Sequence, residues 1–137
     1  MNGVYRFEDL RVWQAAKQQC DLVGALLLRP AFRRDQQISE QMNDAALSVM
    51  FNISEGFLRR RDGETSQFLR YSFASNGELK AGYYAATGRK YLDSAEATEL
   101  IALNESIARP SSWHQPMPTS ESAMRASSSS WDSRMRP

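Results

Sequence analysis

The sequence predicts an all-α protein: an antiparallel up-and-down four-helix bundle with a shortened fourth helix and a disordered C-terminal tail. Three observations predict this class. Long segments carry apolar residues at steps of three and four, the spacing of one helix face. Short polar connections separate those segments, as in bundles whose neighbouring helices are antiparallel. The periodicity ends near residue 109, so we expect a helical domain over residues 1–109 and a Ser/Pro-rich tail over residues 110–137.

The first two helices are defined by their apolar stripes and their ends. The first is expected from about Glu8 to Arg29, because a residue that precedes a proline disfavours helical geometry. The second is expected from Asp35, a suitable N-cap, to about Gly56, a natural helix-end residue. The expected inward residues are Leu10, Trp13, Ala16, Cys20, Val23 and Leu27 in the first helix, and Ile38, Met42, Ala45, Ala46, Val49, Ile53 and Phe57 in the second.

The third and fourth helices follow a polar connection at residues 59–63 and a capping signal. The third is expected from about Glu64 to Lys90, and the fourth begins with a capping-box-like pair, Asp93 and Glu96. At ~1.5 Å per residue the third helix would be roughly 40 Å long and the fourth only about 24 Å. The expected inward residues are Phe68, Ser72, Ser75, Asn76, Leu79, Tyr83 and Ala86, then Ala97, Leu100, Ile101, Asn104, Ile107 and Ala108.

Three segments match the pattern of a known family. FEDLRVW at residues 7–13 fits F-x-D-L-x-V-W, and residues 67–79 are similar to E-F-x-R-F-L-x-x-A-x-G-S-x-x-E-L. AALSVMFNISEG at residues 45–56 is similar to A-A-V-S-I-P-S-N-I-A-E-G, with Met50 at the usual proline and Phe51 at the usual serine. The chain thus resembles the four-helix-bundle family named after proteins encoded in intervening sequences of 23S ribosomal RNA genes. The resemblance implies a bacterial protein, a ring of five subunits, and a family with no settled biochemical function.

The tail differs in composition from the helical domain. Residues 111–137 contain four consecutive serines, 127–130, and no aliphatic side chain larger than alanine apart from methionines. A frameshifted or artificially extended C-terminus and a genuine disordered tail both fit this composition. We expect the tail to be mobile, with at most a local contact near Trp113 on the bundle wall that the short fourth helix leaves open.

Residue types argue against catalysis and cofactors. The single histidine, His114, lies in the tail, so the bundle cannot build a Glu-x-x-His metal site or a histidine-activated nucleophile. Glu55 and Glu78 could act as acid and base, but polar contacts at helix ends explain them better. The lone Cys20 indicates a buried thiol and a reducing compartment, and no segment is long and apolar enough for a membrane span. We therefore expect a non-enzymatic cytoplasmic protein without cofactors.

Polar and apolar residues that do not fit a simple stripe suggest contacts beyond one helix. Asn52, Asn76 and Asn104 fall near core positions on three helices, where they would hydrogen-bond across the bundle or to another subunit. Large apolar residues off the stripes predict self-association, because contiguous exposed apolar groups mark an interface. The residues expected on this outer surface are Val12, Leu22, Met50, Phe51 and Tyr84, together with Tyr71. The expected function is a homo-oligomeric scaffold or protein-interaction module.

The alternative function is a nucleic-acid-binding accessory protein, such as an RNA-binding or reverse-transcriptase-associated ring. Its partner would be RNA, DNA or a nucleic-acid enzyme. A ring would repeat each basic cluster into a collar able to contact phosphates. Against it, residues 1–109 contain 14 basic and 14 acidic side chains, counted along the sequence. The candidate contacts are Arg33, Arg34, Arg89 and Lys90 at one end of the bundle, and Arg59, Arg60 and Arg61, with Arg6 nearby, at the other.

Overall fold

The computed structural model describes residues 6–109, and these residues form an all-α bundle, as predicted. None of them is in a β-strand. The elements are α1 (Arg11–Leu26), α2 (Pro30–Arg34), α3 (Gln36–Leu58), α4 (Thr65–Gly88) and α5 (Ser94–Ala108), with 3-10 turns at Phe7–Asp9 and Arg60–Asp62. The predicted tail, including His114 and the division at residue 110, lies outside the described residues.

The two long helices, α3 and α4, run in opposite directions side by side. Near their connection, the Thr65 hydroxyl donates to the Gly56 carbonyl over 2.8 Å. Midway along, the Ser48 and Ser75 hydroxyls are 2.6 Å apart. Gly56 is buried inside α3, and a Cβ there would lie 3.3 Å from the Thr65 carbonyl oxygen. The predicted end near Gly56 agrees with the observed end at Leu58 to within two residues, and Gly56 itself allows the close approach of α4.

The first helix ends before Pro30, as predicted, but α1 stops at Leu26 and a short helix that was not predicted begins at the proline. Arg29 is extended, as a residue before proline prefers, and Pro30 occupies the first turn of the five-residue helix α2. Proline is tolerated there because its missing N–H would have no partner within the helix. The short helix places Phe32 in the core with none of its surface exposed. Because Pro30 was interpreted only as the end of the first helix, the helix α2 was not predicted.

The two N-caps that the sequence predicted, Asp35 and Asp93, are confirmed. The Asp35 carboxylate accepts from the Ile38 backbone N–H at the start of α3. Asp93 and Glu96 form a capping box at the start of α5, in which each side chain accepts from the other residue's backbone N–H. These contacts satisfy backbone donors that a helix start leaves unpaired.

The buried face of α1 is rotated by about one residue from the predicted stripe. Val12, which was predicted on the outer surface, is only 4% exposed, so that expectation was wrong. The indole N–H of Trp13 donates to the Ser54 hydroxyl over 2.8 Å, which holds this large ring at the edge of the core. The residues buried in α1 are Val12, Ala16, Gln19, Val23 and Leu26, whereas Trp13, Cys20 and Leu27 are half-buried.

Two apolar clusters form the core. One lies toward the start of α1 and the end of α5, and its buried members are Leu10, Val12, Ala16, Val49, Ile53, Phe57 and Ile107. The other lies toward α2 and the start of α5, and it includes Val23, Leu26, Phe32, Met42, Leu79, Tyr83, Ala86, Leu92 and Leu100.

A layer of buried amides, Gln19, Asn76 and Asn104, joins α1, α4 and α5. The Gln19 amide donates to Asn76 Oδ1 over 3.1 Å, and the Asn104 amide donates to Gln19 Oε1 over 2.9 Å. Asn76 donates to the Asn104 carbonyl and Asn104 to the Asn76 carbonyl, each over 3.0 Å. The buried Tyr83 hydroxyl, whose pKa is raised by burial, donates to Gln19 Oε1 over 3.3 Å. We call these three amides the amide layer.

The amide layer confirms the prediction that Asn76 and Asn104 bond across the bundle. Asn52 makes no such bond across the bundle: its half-buried amide donates to the Ser48 carbonyl and hydroxyl of its own helix, and a contact of Asn52 with another subunit stays a prediction. Gln19 was placed on no stripe, yet it is fully buried and contacts both asparagines.

The amide layer predicts an asymmetric effect of asparagine substitutions. Asn104→Ala should lower the free energy of unfolding by about 1–3 kcal/mol, because it leaves buried polar groups of Gln19 and Asn76 without partners. Asn52→Ala is the matched control, and should lower the free energy of unfolding by less than about 1 kcal/mol, because it removes only hydrogen bonds within one helix. Urea unfolding followed by circular dichroism measures both. Equal costs for the two variants would contradict this role of the layer.

Candidate interaction surfaces

Large apolar side chains remain exposed on three of the helices and beside them. Leu22, Phe51 and Tyr84 are exposed, as predicted, whereas Met50 is half-buried against the core. Tyr71 also points outward, as expected for an aromatic that does not fit the inner face of α4. The exposed large apolar residues between 6 and 109 are Leu22, Leu28, Phe51, Leu58, Tyr71, Phe73 and Tyr84.

The first apolar surface runs along the outside of α3. Leu47, Phe51 and Leu58 are four and seven residues apart, so they share one face of the helix. Phe51 is 55% exposed and Leu58 is 59% exposed, while Leu47 is half-buried. We call these three residues the α3 outer stripe. Its N-terminal continuation is acidic, because Asp44 is exposed on the same face.

The second apolar surface lies on the outer face of α4, next to the side that packs against α5. Phe73, Gly77 and Tyr84 share one face with Lys80, whose ammonium group is 3.4 Å from the Glu105 carboxylate of α5. Phe73 and Tyr84 are 55% and 58% exposed. We call Phe73, Gly77 and Tyr84 the α4 outer stripe. The side of α4 that meets α3 is roughly opposite, so the two stripes lie on different sides of the bundle.

One end of the bundle carries Arg33, Arg34, Arg89 and Lys90. Arg89 is neutralised locally, because it forms an ion pair with Asp35. Arg33, Arg34 and Lys90 are exposed and form no ion pair with any residue from 6 to 109. These three cations are therefore available to an external anion.

At that end of the bundle, the Asp35 carboxylate accepts hydrogen bonds from Tyr91, Ile38 and Arg89. A hydrogen bond from the Tyr91 hydroxyl, 2.9 Å away, is the main cause that lowers its pKa, with further contributions from the Ile38 N–H and Arg89. Because the folded pKa is lowered, the ionised group stabilises the fold above the unfolded aspartate pKa of about 3.9. That stabilisation is lost as the pH falls through the folded pKa.

The arginines at the other end are largely engaged by neighbours. Arg59 donates to the Glu55 and Glu64 carboxylates over 3.0 and 3.2 Å, and Glu55 is the main cause that raises its pKa. The Arg60 guanidinium lies 4.1 Å from the centre of the Phe57 ring and donates to the Phe57 carbonyl, and burial lowers its pKa.

Arg6, nearby, is paired with Glu8. Arg61 is exposed and makes no ion pair within the described part of the chain. The sequence placed these charges at the correct end, but it could not show that neighbours already hold most of them.

The candidate acid and base are not brought together. Glu55 binds Arg59 near the end of α3, whereas Glu78 lines a shallow groove between the middle of α4 and the first half of α3. Cys20 is half-buried, and burial raises the pKa of its thiol, which opposes reactivity. Within residues 6–109, no three His, Cys, Asp or Glu side chains are grouped to hold a metal ion. No helix in this range is long and apolar enough to cross a membrane.

Comparison with known proteins gives one match. The model of the family described as "23S rRNA-intervening sequence protein" matches residues 8–111, which include every helix of the bundle. No curated protein and no solved structure matches the chain.

Proposed function

We propose that this chain, which belongs to the 23S rRNA-intervening sequence protein family, is a non-enzymatic scaffold or protein-interaction module that assembles with copies of itself. One observation carries the proposal: large apolar side chains form two stripes on different sides of the bundle. Scattered exposed apolar residues are normal in monomers, but aligned ones mark interfaces.

The placement of the two stripes favours a head-to-tail assembly. In an isologous dimer one patch meets its own copy, whereas a ring brings two different patches of neighbouring subunits together. The α3 outer stripe and the α4 outer stripe provide two such patches. The ring of five subunits implied by the family resemblance is the expected size. The reducing compartment indicated by the single cysteine makes the cytoplasm the proposed location.

Replacing Phe51, the aromatic residue of the α3 outer stripe, by a charged residue should break the assembly. Phe51→Glu would place a carboxylate in the proposed apolar contact, where burying an unpaired charge is unfavourable. Light scattering at micromolar concentration should show a multimer for the native chain and the 15.6 kDa monomer for Phe51→Glu.

The matched control is Gln41→Glu, which adds the same charge to an exposed position on a different face of α3. It should keep the native mass. A native chain that is monomeric at this concentration would overturn the proposal, as would equal dissociation by both variants.

The alternative is nucleic acid binding through the end that carries Arg33, Arg34 and Lys90. Its support is that these three cations have no ion-pair partner within residues 6–109, and a ring would repeat them in every subunit. The balance of 14 basic and 14 acidic side chains in residues 1–109 leaves no general attraction to phosphates, so contact would depend on this end.

The alternative predicts a measurable salt dependence. If single-stranded RNA binds here, replacing Arg33, Arg34 and Lys90 by glutamine should weaken binding and flatten the plot of log affinity against log salt. Each lost contact should reduce the slope by roughly 0.7. Replacing Arg59, Arg60 and Arg61 by glutamine is the comparison, and should have a smaller effect because Arg59 and Arg60 are engaged. An unchanged slope in the first variant would exclude this end.

A further inference from the structure

The end of the bundle that carries Arg33, Arg34 and Lys90 has an excess of unpaired positive charge. These three cations are exposed and form no ion pair with any residue from 6 to 109. The carboxylates in the connections at this end and in the first turn of α5 already have partners: Asp35 accepts from Tyr91 and Arg89, Asp93 accepts from the Glu96 N–H, and Glu96 pairs with Arg29. An anion that approaches this end therefore meets cations that none of these carboxylates neutralises.

One carboxylate joins the two segments on which the three cations lie. Asp35 accepts a hydrogen bond from the Tyr91 hydroxyl over 2.9 Å and another from the Arg89 guanidinium. Asp35 directly follows Arg34, and Lys90 lies between Arg89 and Tyr91. We call Asp35, Arg89 and Tyr91 the end clamp. Because each cation is a close neighbour in the chain of a clamp residue, the clamp holds cations from two distant segments near one another.

Packing beneath the end clamp supports this arrangement. The Tyr91 ring meets the Phe32 ring edge to face, with the ring centres 5.4 Å apart. Phe32 is fully buried in α2 and directly precedes Arg33. The Asp35 side chain is only 14% exposed. Hydrogen bonds that are partly shielded from water in this way are stronger than exposed ones, so the clamp is a fixed part of the fold.

Lys90 has an unusual backbone conformation. Its φ is 63°, and it is the one non-glycine residue between 6 and 109 in the left-handed region. The Lys90 N–H donates to the Thr87 carbonyl over 3.0 Å, and the Tyr91 N–H donates to the Ala86 carbonyl over 2.9 Å, the pattern that closes a helix at a left-handed residue. Glycine adopts this conformation without a steric cost. The chain therefore carries a cation where a glycine would be more favourable for the backbone.

We propose that Arg33, Arg34 and Lys90 form one phosphate-binding surface, and that Asp35 is its positioning residue, acting through Arg89 and Tyr91. The inference rests on the alternative function given above, because the phosphates are those of an RNA backbone. It adds to that function the group that holds the cations in place. Asp35 itself contacts no phosphate, and the positive charge of Arg89 offsets its negative charge.

Phosphate is the ligand that this combination of side chains suits best. Arginine donates from a planar fork that matches phosphate oxygens, and lysine adds a compact point charge. Arg33 and Arg34 are consecutive in α2, so their side chains leave the helix in directions about 100° apart. Lys90 comes from the other segment that the clamp joins. Cations spread in this way fit successive phosphates of one strand better than a single small anion.

The end clamp lowers the cost of binding. Two segments that could move apart would have to be ordered when a strand binds, and that ordering reduces affinity. The clamp orders them in the free protein. Loss of the clamp should therefore weaken phosphate binding even where it leaves all three cations in the chain.

The test compares Asp35→Ser with Asp93→Ser in the full chain. Both residues are N-caps at the same end of the bundle, serine is also a good N-cap, and both variants lose one negative charge. Only Asp35→Ser removes the acceptor of Arg89 and Tyr91. Fluorescence anisotropy of labelled oligouridine gives the dissociation constant over a range of salt concentrations, after circular dichroism has shown that the helices are formed.

We expect Asp35→Ser to bind oligouridine more weakly than the native chain, although the variant is more positively charged. Complete loss of one phosphate contact lowers the slope of log affinity against log salt by roughly 0.7, which amounts to about fourfold between 1 M and 0.15 M salt. Asp93→Ser should bind at least as tightly as the native chain, because it only removes a repulsive charge. Tyr91→Phe removes a bond of the end clamp without changing any charge, and should also weaken binding. This second variant tests the proposal even if Asp35→Ser alters the helices.

Tripolyphosphate, measured by isothermal titration calorimetry, is the second probe and separates the two ways of failing. If Asp35→Ser and Tyr91→Phe bind oligouridine as tightly as the native chain, while replacement of the three cations by glutamine weakens binding, the positioning role is overturned and the alternative function stands. Tripolyphosphate binding that depends on Asp35, without oligouridine binding, would support the phosphate-binding surface and exclude RNA as its ligand. A native chain that binds neither probe would overturn both.

Discussion

The amide layer is the constraint on which the rest of the bundle depends. Gln19, Asn76 and Asn104 come from three helices, and they satisfy one another only when the three helices stand in one register. A buried amide without a partner costs more than a misplaced methyl group, because it has lost its hydrogen bonds to water. An apolar core alone would tolerate a shift of one helix along another. The layer lies between two apolar clusters, so it fixes the register while the clusters provide most of the driving force.

The surfaces follow from that register. Once Asn104 is opposite Asn76, α5 ends at about the level of Ser72, and the first residues of α4 extend past it. On the other side of α4, Gly56 and Gly82 let α3 pack closely, since a Cβ at Gly82 would lie 2.7 Å from Met42 Cγ. The inward residues of α3 are buried by this packing, whereas Phe51 and Leu58 remain exposed on its outer face. The positions of the exposed apolar residues therefore depend on how the helices pack as well as on the residues themselves.

The sequence predicted the class of fold, the caps and most core positions, because these depend on local spacing. It missed α2, since Pro30 was interpreted only as the end of the first helix, whereas α1 ends at Leu26 and Pro30 begins a separate short helix. The predicted buried face of α1 was rotated from the observed one, because hydrophobicity alone cannot show that Gln19 is buried and that Trp13 lies at the edge of the core. The partners that decide this, Asn76, Asn104 and Ser54, are 41 or more residues away. The arginines were placed at the correct ends, but the engagement of Arg59 and Arg60 depends on tertiary contacts that no local pattern contains.

The most direct test of this account is the amide-proton NMR spectrum of a chain in which Gln19, Asn76 and Asn104 are all replaced by leucine. Removing the three amides together leaves none of them without a partner, although the buried Tyr83 hydroxyl loses its acceptor on Gln19, so the variant should remain helical. We expect the triple variant to lose the single register of its helices, so that amide resonances of α1 and α5 broaden or double. Asn52→Leu, which adds a leucine outside the layer, should keep one sharp set. One sharp resonance for each amide in the triple variant would contradict the account.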